Sequence, residues 1–313
     1  MSVDRKRKTM DPVVRATQLE KKYGRLTAVD RISFEVRPGE TFGLLGPNGA
    51  GKTTTMRMMA CISPPTSGDL TVLGMDVRRQ SRAIRDALGV VAQHDGLDPD
   101  LSARDNLIVH ARYYGLRGSV AGARADEVLE FFGLTARSRD EVDNLSGGLK
   151  RRLSIARAFM HRPRMVILDE PTTGLDPQSR NRVWEQLANL KQEGVTIAMS
   201  THYMEEAASL CDRLVVIDHG RILAEGTPDA LVREIAGAQT AMLKVEGPER
   251  ARVVRALAER GYQAHGRGML LAVHGRDGDR PQVEGLGVAH VIYRPSTLED
   301  AFLALTGREL RDE

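Results

Sequence analysis

Hydrophobic and polar residues alternate through Val14-Arg15-Ala16-Thr17-Gln18-Leu19 and again through Ile32-Ser33-Phe34-Glu35-Val36. This period-two rhythm is that of half-buried strands, and a Pro38-Gly39 turn follows it. Residues 40–45 are more continuously apolar and read as a buried strand that ends in a Gly-rich loop. A helical rhythm takes over at Thr53 and runs to Cys61, where Pro64-Pro65 is expected to stop it. Between 98 and 162 apolar residues recur at steps of three and four, at Leu107, Val109, Tyr113 and Tyr114 and then at Val128, Leu129 and Phe132, which predicts a mostly helical insert. Short Val/Ile/Leu runs at 165–168, 195–199 and 214–217 then alternate with helical stretches at 178–192 and 204–211. Near-continuous apolar strands alternating with helices predict a parallel sheet covered on both faces. Thr227 as N-cap and Pro228 at the first helical position open a short helix over 229–235. Beyond Gly237 the pattern restarts, with strands at 241–245, 270–273 and 290–293 and helices at 249–260 and 297–305, a small α+β appendage.

Composition narrows the class without changing that outline. The chain has 313 residues, enough for about two domains, with 41% hydrophobic and 28% charged residues. That profile excludes a disordered chain, a collagenous chain and a small disulfide scaffold. No run approaches the ~20 apolar residues of a membrane-spanning helix, so the reading is a soluble globular protein. Two cysteines, Cys61 and Cys211, could form one bridge, but their separation and apolar or helical contexts favour buried free thiols and a cytosolic setting. Arg5-Lys6-Arg7-Lys8 follows Met1-Ser2-Val3-Asp4, and Asp11-Pro12 comes where a signal peptide would carry an apolar stretch. Residues 1–12 therefore read as a flexible basic tail, either solvated or touching anionic headgroups. A net charge of +3 is too diffuse to argue for nucleic acid, and the eight His show no metal-site spacing.

The chemistry begins with Gly46-Pro47-Asn48-Gly49-Ala50-Gly51-Lys52-Thr53, which fits G-x-x-x-x-G-K-[ST] between a buried strand and a helix. Glycines let the loop turn tightly so that several N–H groups point into one concavity, and the helix start adds its positive end. Lys52 supplies a point charge to the β- and γ-phosphates, and the Thr53 hydroxyl is placed to ligate Mg²⁺. Met165-Val166-Ile167-Leu168-Asp169-Glu170 delivers two acids to the C-terminal edge of a buried strand. Asp169 would hold Mg²⁺ through water, and Glu170 would orient or deprotonate an attacking water. One acid for metal and one for water point to hydrolysis rather than transfer to a substrate hydroxyl.

Leu145-Ser146-Gly147-Gly148-Leu149 precedes a helix through Lys150, Arg151, Leu153, Ile155 and Ala156. Ser146 reads as an N-cap, and the two glycines let an anion approach the exposed N–H groups. These residues resemble the signature of the ATP-binding cassette (ABC) family. The rest of the chain agrees: Tyr23 matches the aromatic that stacks on adenine, Gln93 the Q-loop glutamine, Gly174-Leu175-Asp176 the D-loop, and His202 the switch histidine. The resemblance covers about residues 13–235. It implies an α/β fold of the P-loop NTPase (RecA-like) kind at 13–237, with a β subdomain and a helical subdomain at about 98–162, followed by an accessory α+β domain at 238–313. It also implies ATP held by Tyr23, Gly46, Asn48, Gly49, Gly51, Lys52, Thr53 and Thr54. Mg²⁺ would be held by Thr53, Gln93 and, through water, Asp169, with Glu170, Gln93 and His202 catalytic. Family members form head-to-tail homodimers that sandwich ATP, so Ser146, Gly147 and Gly148 would meet the γ-phosphate bound by the other copy, with Asp176 at the seam.

Two positions depart from the family pattern. Leu149 replaces the usual glutamine, a familiar variation in ABC-2 exporters, and Ala92 stands where proline often precedes the Q-loop glutamine. Within the family the chain is similar to ATPase subunits of daunorubicin-type drug-resistance exporters and of Nod-factor (lipo-oligosaccharide) exporters. The residues that carry this are Gln93-His94-Asp95-Gly96-Leu97-Asp98, Glu170-Pro171-Thr172-Thr173-Gly174-Leu175-Asp176-Pro177 and Pro295-Ser296-Thr297-Leu298-Glu299-Asp300-Ala301-Phe302. Such subunits dock on a separate ABC-2-type permease at the cytoplasmic face of the membrane, where the helical insert and Gln93 would form the groove for its coupling helix.

Competing readings are an importer ATPase, an ABC protein acting on ribosomes or DNA, and a P-loop kinase. The second usually carries two cassettes or a long coiled coil, and the third leaves 145–149 and His202 unexplained. Residue by residue, Tyr23 could be an ordinary strand aromatic and His202 a satisfied helix-cap histidine. Arg151 and Arg152 read as a solvated helix face with carboxylate partners, and Trp184 as core packing.

Overall fold

The computed structural model describes residues 11–93, 96–266, 269–275 and 280–307. Residues 1–10 of the basic tail and the His94-Asp95 pair of the exporter resemblance lie outside these residues. The chain divides into two compact units, one made of the chain up to Gly43 with Gly51–Thr201, the other of Leu44–Ala50 with the chain from His202 onward.

In the first unit, β1 (Val14–Tyr23) and β2 (Leu26–Val36) pair antiparallel. Strict alternation would turn Gln18 inward and Leu19 outward. Instead Gln18 adopts φ 49° at a register shift, and Leu19 returns to the core fully buried. Next come β3 (Thr41–Leu45), whose first three residues belong to this unit, and α1 (Lys52–Met59). That helix ends before the prolines expected to stop it. Cys61 turns into the left-handed region at φ 54°, and the Ile62 and Ser63 N–H groups close back on the Arg57 carbonyl. β4 (Ser67–Val72) and β5 (Met75–Asp76) complete an antiparallel sheet of order β2-β1-β4-β5.

α2 (Ser81–Ala87) and β6 (Leu88–Val91), neither legible as periodicity, lead to the helical insert, α3 (Ala103–Tyr113), α4 (Gly118–Phe131) and α5 (Gly147–Ala158). Val128, Leu129 and Phe132 are buried there as expected, but Tyr113 is 82% exposed. Then follow β7 (Met165–Asp169), α6 (Pro177–Gln192) and β8 (Thr196–Thr201). Neighbouring strands run β3-β8-β7-β6, with β6, β7 and β8 parallel, as the apolar strands implied. The register pairs Val91 with Leu168 and Asp169 with Ser200. The carboxyl end of β7 therefore lies between Ser200 on β8 and the Ala92-Gln93 exit of β6, the edge at which open α/β sheets bind ligands.

In the second unit, α7 (Met204–Leu210) leads to β9 (Arg213–Asp218), which pairs antiparallel with β10 (Arg221–Gly226). The two-residue turn between them has His219 at φ 47° and Gly220 at φ 75°, the doubly positive geometry that suits a twisted hairpin. β3, whose Leu44 and Leu45 belong to this unit, neighbours β9. Thr227 caps α8 (Pro228–Leu231) by accepting from the Ala230 N–H, as expected, before a π turn over Val232–Ala236. The remainder comprises β11 (Gln239–Lys244), α9 (Gly247–Glu259), β12 (Ala264–His265), β13 (Leu270–His274), β14 (His290–Pro295) and α10 (Leu298–Thr306). Its four-stranded sheet, of order β12-β13-β11-β14, closes over a core that includes Leu243, Val253, Leu257 and Val273. Arg294 grips Asp300 through two hydrogen bonds of 2.6 and 2.8 Å, and Asp300 completes a capping box with Thr297 at the start of α10.

Candidate functional site: a phosphate loop beside two acids

Gly51 precedes α1 with φ 104°, a conformation that only glycine adopts freely, and sets Lys52 and Thr53 in the first helical turn. Lys52 is only 4% exposed, and its ammonium lies 3.4 Å from Glu170 Oε1. The Thr53 hydroxyl donates to Asp169 Oδ1 at 3.1 Å. A buried cation and a hydroxyl are thus each paired with one of the two adjacent acids. Glu170 stands at φ 48°, an uncommon setting for a residue with a side chain. Its other carboxylate oxygen accepts from Thr173 Oγ1 at 3.1 Å.

Gln93 is exposed and lines a cavity of about 290 Å³ together with Thr53, Met56, Arg57, Ile167 and Asp169. The structure therefore brings Lys52, Thr53, Gln93, Asp169 and Glu170 into one neighbourhood, with Thr54 next on α1. Tyr23 is 46% exposed, with Lys21 Nζ lying 4.9 Å from its ring centroid and tied to the Pro64 carbonyl at 2.7 Å. Half of this aromatic surface stays open to water, which a core strand residue would not show.

A second cluster forms at the start of α5. Ser146 caps that helix by accepting from the Leu149 N–H, and Ser146 and Gly147 are exposed. Gly148 is buried so closely against α6 that a Cβ there would lie 2.3 Å from Ser179 Oγ. Asp176 caps α6 through the Ser179 N–H at 2.9 Å. The Ser179 hydroxyl and N–H hold the Asp176 carboxyl below the usual range. Gly148 and Asp176 therefore meet through one serine.

Gly46, Asn48 and Gly49 fall in the second unit, as does His202. A Cβ on Gly46 would come 2.1 Å from the Ile217 carbonyl, so the loop leaves β3 with no room for a side chain. Asn48 and Gly49 are exposed and Gly49 has φ 77°. His202 is half-buried, its ring 4.2 Å from that of Tyr203.

Two expectations need correction. Arg151 is not on a solvated face: it is 4% exposed, and its guanidinium donates to the carbonyls of Ala92 and Pro171 at 2.7 Å and of Asp169 and Glu170 at 3.1 Å. These four partners are main-chain oxygens. The signal was present, because 148, 151, 155 and 158 step by three and four along one buried helix face. Trp184 is half-buried with the Arg180 guanidinium 5.7 Å from its ring, rather than set in the core. Ser200 and Thr173 had no local signal, since what matters about each is its partner. Cys61 and Cys211 are free thiols, as expected, but only Cys211 is buried and Cys61 is half-buried.

A glycine-led helix start carrying a buried lysine beside paired acids at a strand end is the arrangement expected of a P-loop nucleotide site, and the Ser146-Gly147-Gly148 helix start is the one expected of a cassette. A model of the ABC transporter family matches residues 29–173. The chain is 44% identical over 298 residues to Nod factor export ATP-binding protein I of Burkholderia pseudomallei, covering 94% of this chain and 97% of that protein. It is 42% identical to the protein of the same name from Rhizobium etli, covering 94% and 93%. Among solved structures, cbiO1 from Clostridium perfringens, part of the ABC transporter complex cbiONQ, aligns with a TM-score of 0.67 at 26% identity, covering 80% of this chain and 96% of that one. The ATP-binding cassette MJ0796, dimeric in a post-hydrolysis state bound to ADP and Pi, aligns at 0.63 and 25% identity, covering 68% and 98%. The chain belongs to the ATP-binding subunits of ABC transporters.

Proposed function

We propose that this chain is the ATP-hydrolysing subunit of an ABC-2-type exporter, working as a homodimer on a separate permease at the cytoplasmic face of the membrane. The exported compound would be a drug, a lipid or an oligosaccharide-like molecule. The observation that carries the direction of transport is the end-to-end similarity to Nod factor export ATP-binding proteins, which extends through the accessory region at 238–313. Among the described residues no helix is long and apolar enough to cross a membrane, which fits a subunit that borrows its pathway from a partner.

Chemically, Lys52 and the glycine loop bind the β- and γ-phosphates, and Tyr23 offers its open face to adenine. The oxygen donors Thr53 and Asp169, already 3.1 Å apart, suit Mg²⁺, which supplies charge neutralisation at the phosphates. Glu170 orients and deprotonates the attacking water, with His202 and Gln93 at the γ-phosphate. Ser146, Gly147 and Gly148 of one copy complete the site of the other, and Asp176 lies at the seam. Because the signature reaches only the γ-phosphate, the dimer prefers ATP to ADP, and that difference in affinity drives the switch.

Glu170→Gln tests the assignment. It should bind Mg-ATP, hydrolyse it at least about a hundredfold more slowly and accumulate as a dimer on gel filtration. Near-normal turnover would overturn the role of Glu170. Co-purification from detergent identifies the permease, and a partner that imports its substrate would overturn the direction.

A further inference from the structure

Glu170 pairs an uncommon backbone with the chemical role proposed above. A non-glycine residue in the left-handed region is strained and holds there only when its surroundings leave no alternative. Both backbone polar groups of Glu170 are held by side chains from other elements. Its N–H donates to Ser200 Oγ at 3.0 Å and to the Ser200 carbonyl at 3.2 Å. Its carbonyl accepts from Arg151 Nη2 at 3.1 Å. Ser200 is fully buried on β8, and its hydroxyl hydrogen is given to Asp169 Oδ1, which leaves the oxygen to accept from Glu170. The Arg151 guanidinium also donates to the carbonyls on either side of Glu170, those of Asp169 and Pro171, and to that of Ala92 next to Gln93.

We propose that Ser200 and Arg151 are positioning residues that clamp the Glu170 peptide from its two ends and so aim the general base. The carboxylate then needs to be held only at its tip, by Lys52 and Thr173, and its tip contact with Lys52 can be exchanged when phosphate arrives without the backbone moving. Arg151 reaches both the β6 exit and this peptide, so a shift at Ala92-Gln93 is felt by the base through a single guanidinium. The clamp rests on Glu170 being the general base.

The test measures kcat and KM of the full-length chain at saturating Mg²⁺ for Ser200→Ala, Ser200→Thr and Arg151→Lys, each alone and combined with Glu170→Gln. Ser200→Ala and Arg151→Lys should lower kcat at least about tenfold with the KM for ATP changed by less than about threefold, because a misaimed base loses transition-state rather than ground-state interactions. Ser200→Thr, which keeps the hydroxyl, should recover most of the rate. In the Glu170→Gln background the same changes should cost less than about twofold, since the aimed group is already gone. Unchanged kcat in Ser200→Ala, or losses that multiply in the Glu170→Gln background, would overturn the clamp and leave a scaffold role. Arg151→Lys exposes a buried cluster of carbonyls and could fail to fold, and Ser200→Ala then decides alone. Should Glu170→Gln itself turn over normally, the general-base reading fails first and the clamp with it.

Discussion

Gly148→Ala isolates the contact between the signature helix and α6. A Cβ at this position would lie 2.3 Å from Ser179 Oγ and 2.7 Å from Ser179 Cβ. Rotating the serine can move its oxygen but not its Cβ, which is fixed by the backbone of α6. The two helix starts must therefore separate by several tenths of an ångström. Overpacking of this kind costs about 1–3 kcal/mol, and the Asp176–Ser179 cap is disturbed as well. Measured on the nucleotide-free chain, which keeps any role toward phosphate out of the result, thermal unfolding should begin several degrees lower, at roughly 2–4 °C per kcal/mol. Ser179→Gly removes both obstructing atoms. The double variant Gly148→Ala/Ser179→Gly should then regain at least about half of what Gly148→Ala loses, measured against Ser179→Gly alone. An unchanged midpoint in Gly148→Ala, or a double variant no better than the sum of its parts, would refute the contact as described.

Lys52→Ala should weaken ATP binding by at least about tenfold by calorimetry, since it removes the cation proposed to meet the phosphates and leaves the 7%-exposed Glu170 without that partner; unchanged affinity would overturn the proposed role of Lys52. In the accessory sheet, burial pushes the His274 pKa down to about 4, with Asp300 opposing and His265 and Arg294 reinforcing the shift. The unfolded chain takes up this proton below about pH 6.5, whereas the folded chain resists it until about 4. His274 therefore contributes stability that is fully present above the unfolded value and lost as pH falls toward the folded one, at up to about 1.4 kcal/mol per pH unit. Urea midpoints between pH 7.5 and 5 should fall less steeply in His274→Gln than in the parent, and equal slopes would count against a neutral buried imidazole.

What can be read along the chain is whatever depends on neighbours a few residues away. Periodicity marked the strands around Met165 and Leu214 and the amphipathic run of α6, because a strand or helix must turn its apolar residues to one side whatever lies opposite. The spacing Gly46 to Thr53 and the Ser146-Gly147-Gly148 start of a helix were legible for the same reason, since a loop that cradles phosphate does so with its own backbone. Other features were settled only by folding. Leu19 faces inward because Gln18 bulges, and β10 exists because His219 and Gly220 both take positive φ. Arg151, from its sequence an ordinary basic residue on a helix, is buried because carbonyls 18 to 59 positions away converge on it. Ser200 matters because parallel pairing sets it beside Asp169. A buried hydrogen bond needs its partner within about 3 Å, and which distant segment comes that close is decided by strand order and register, which no local pattern contains.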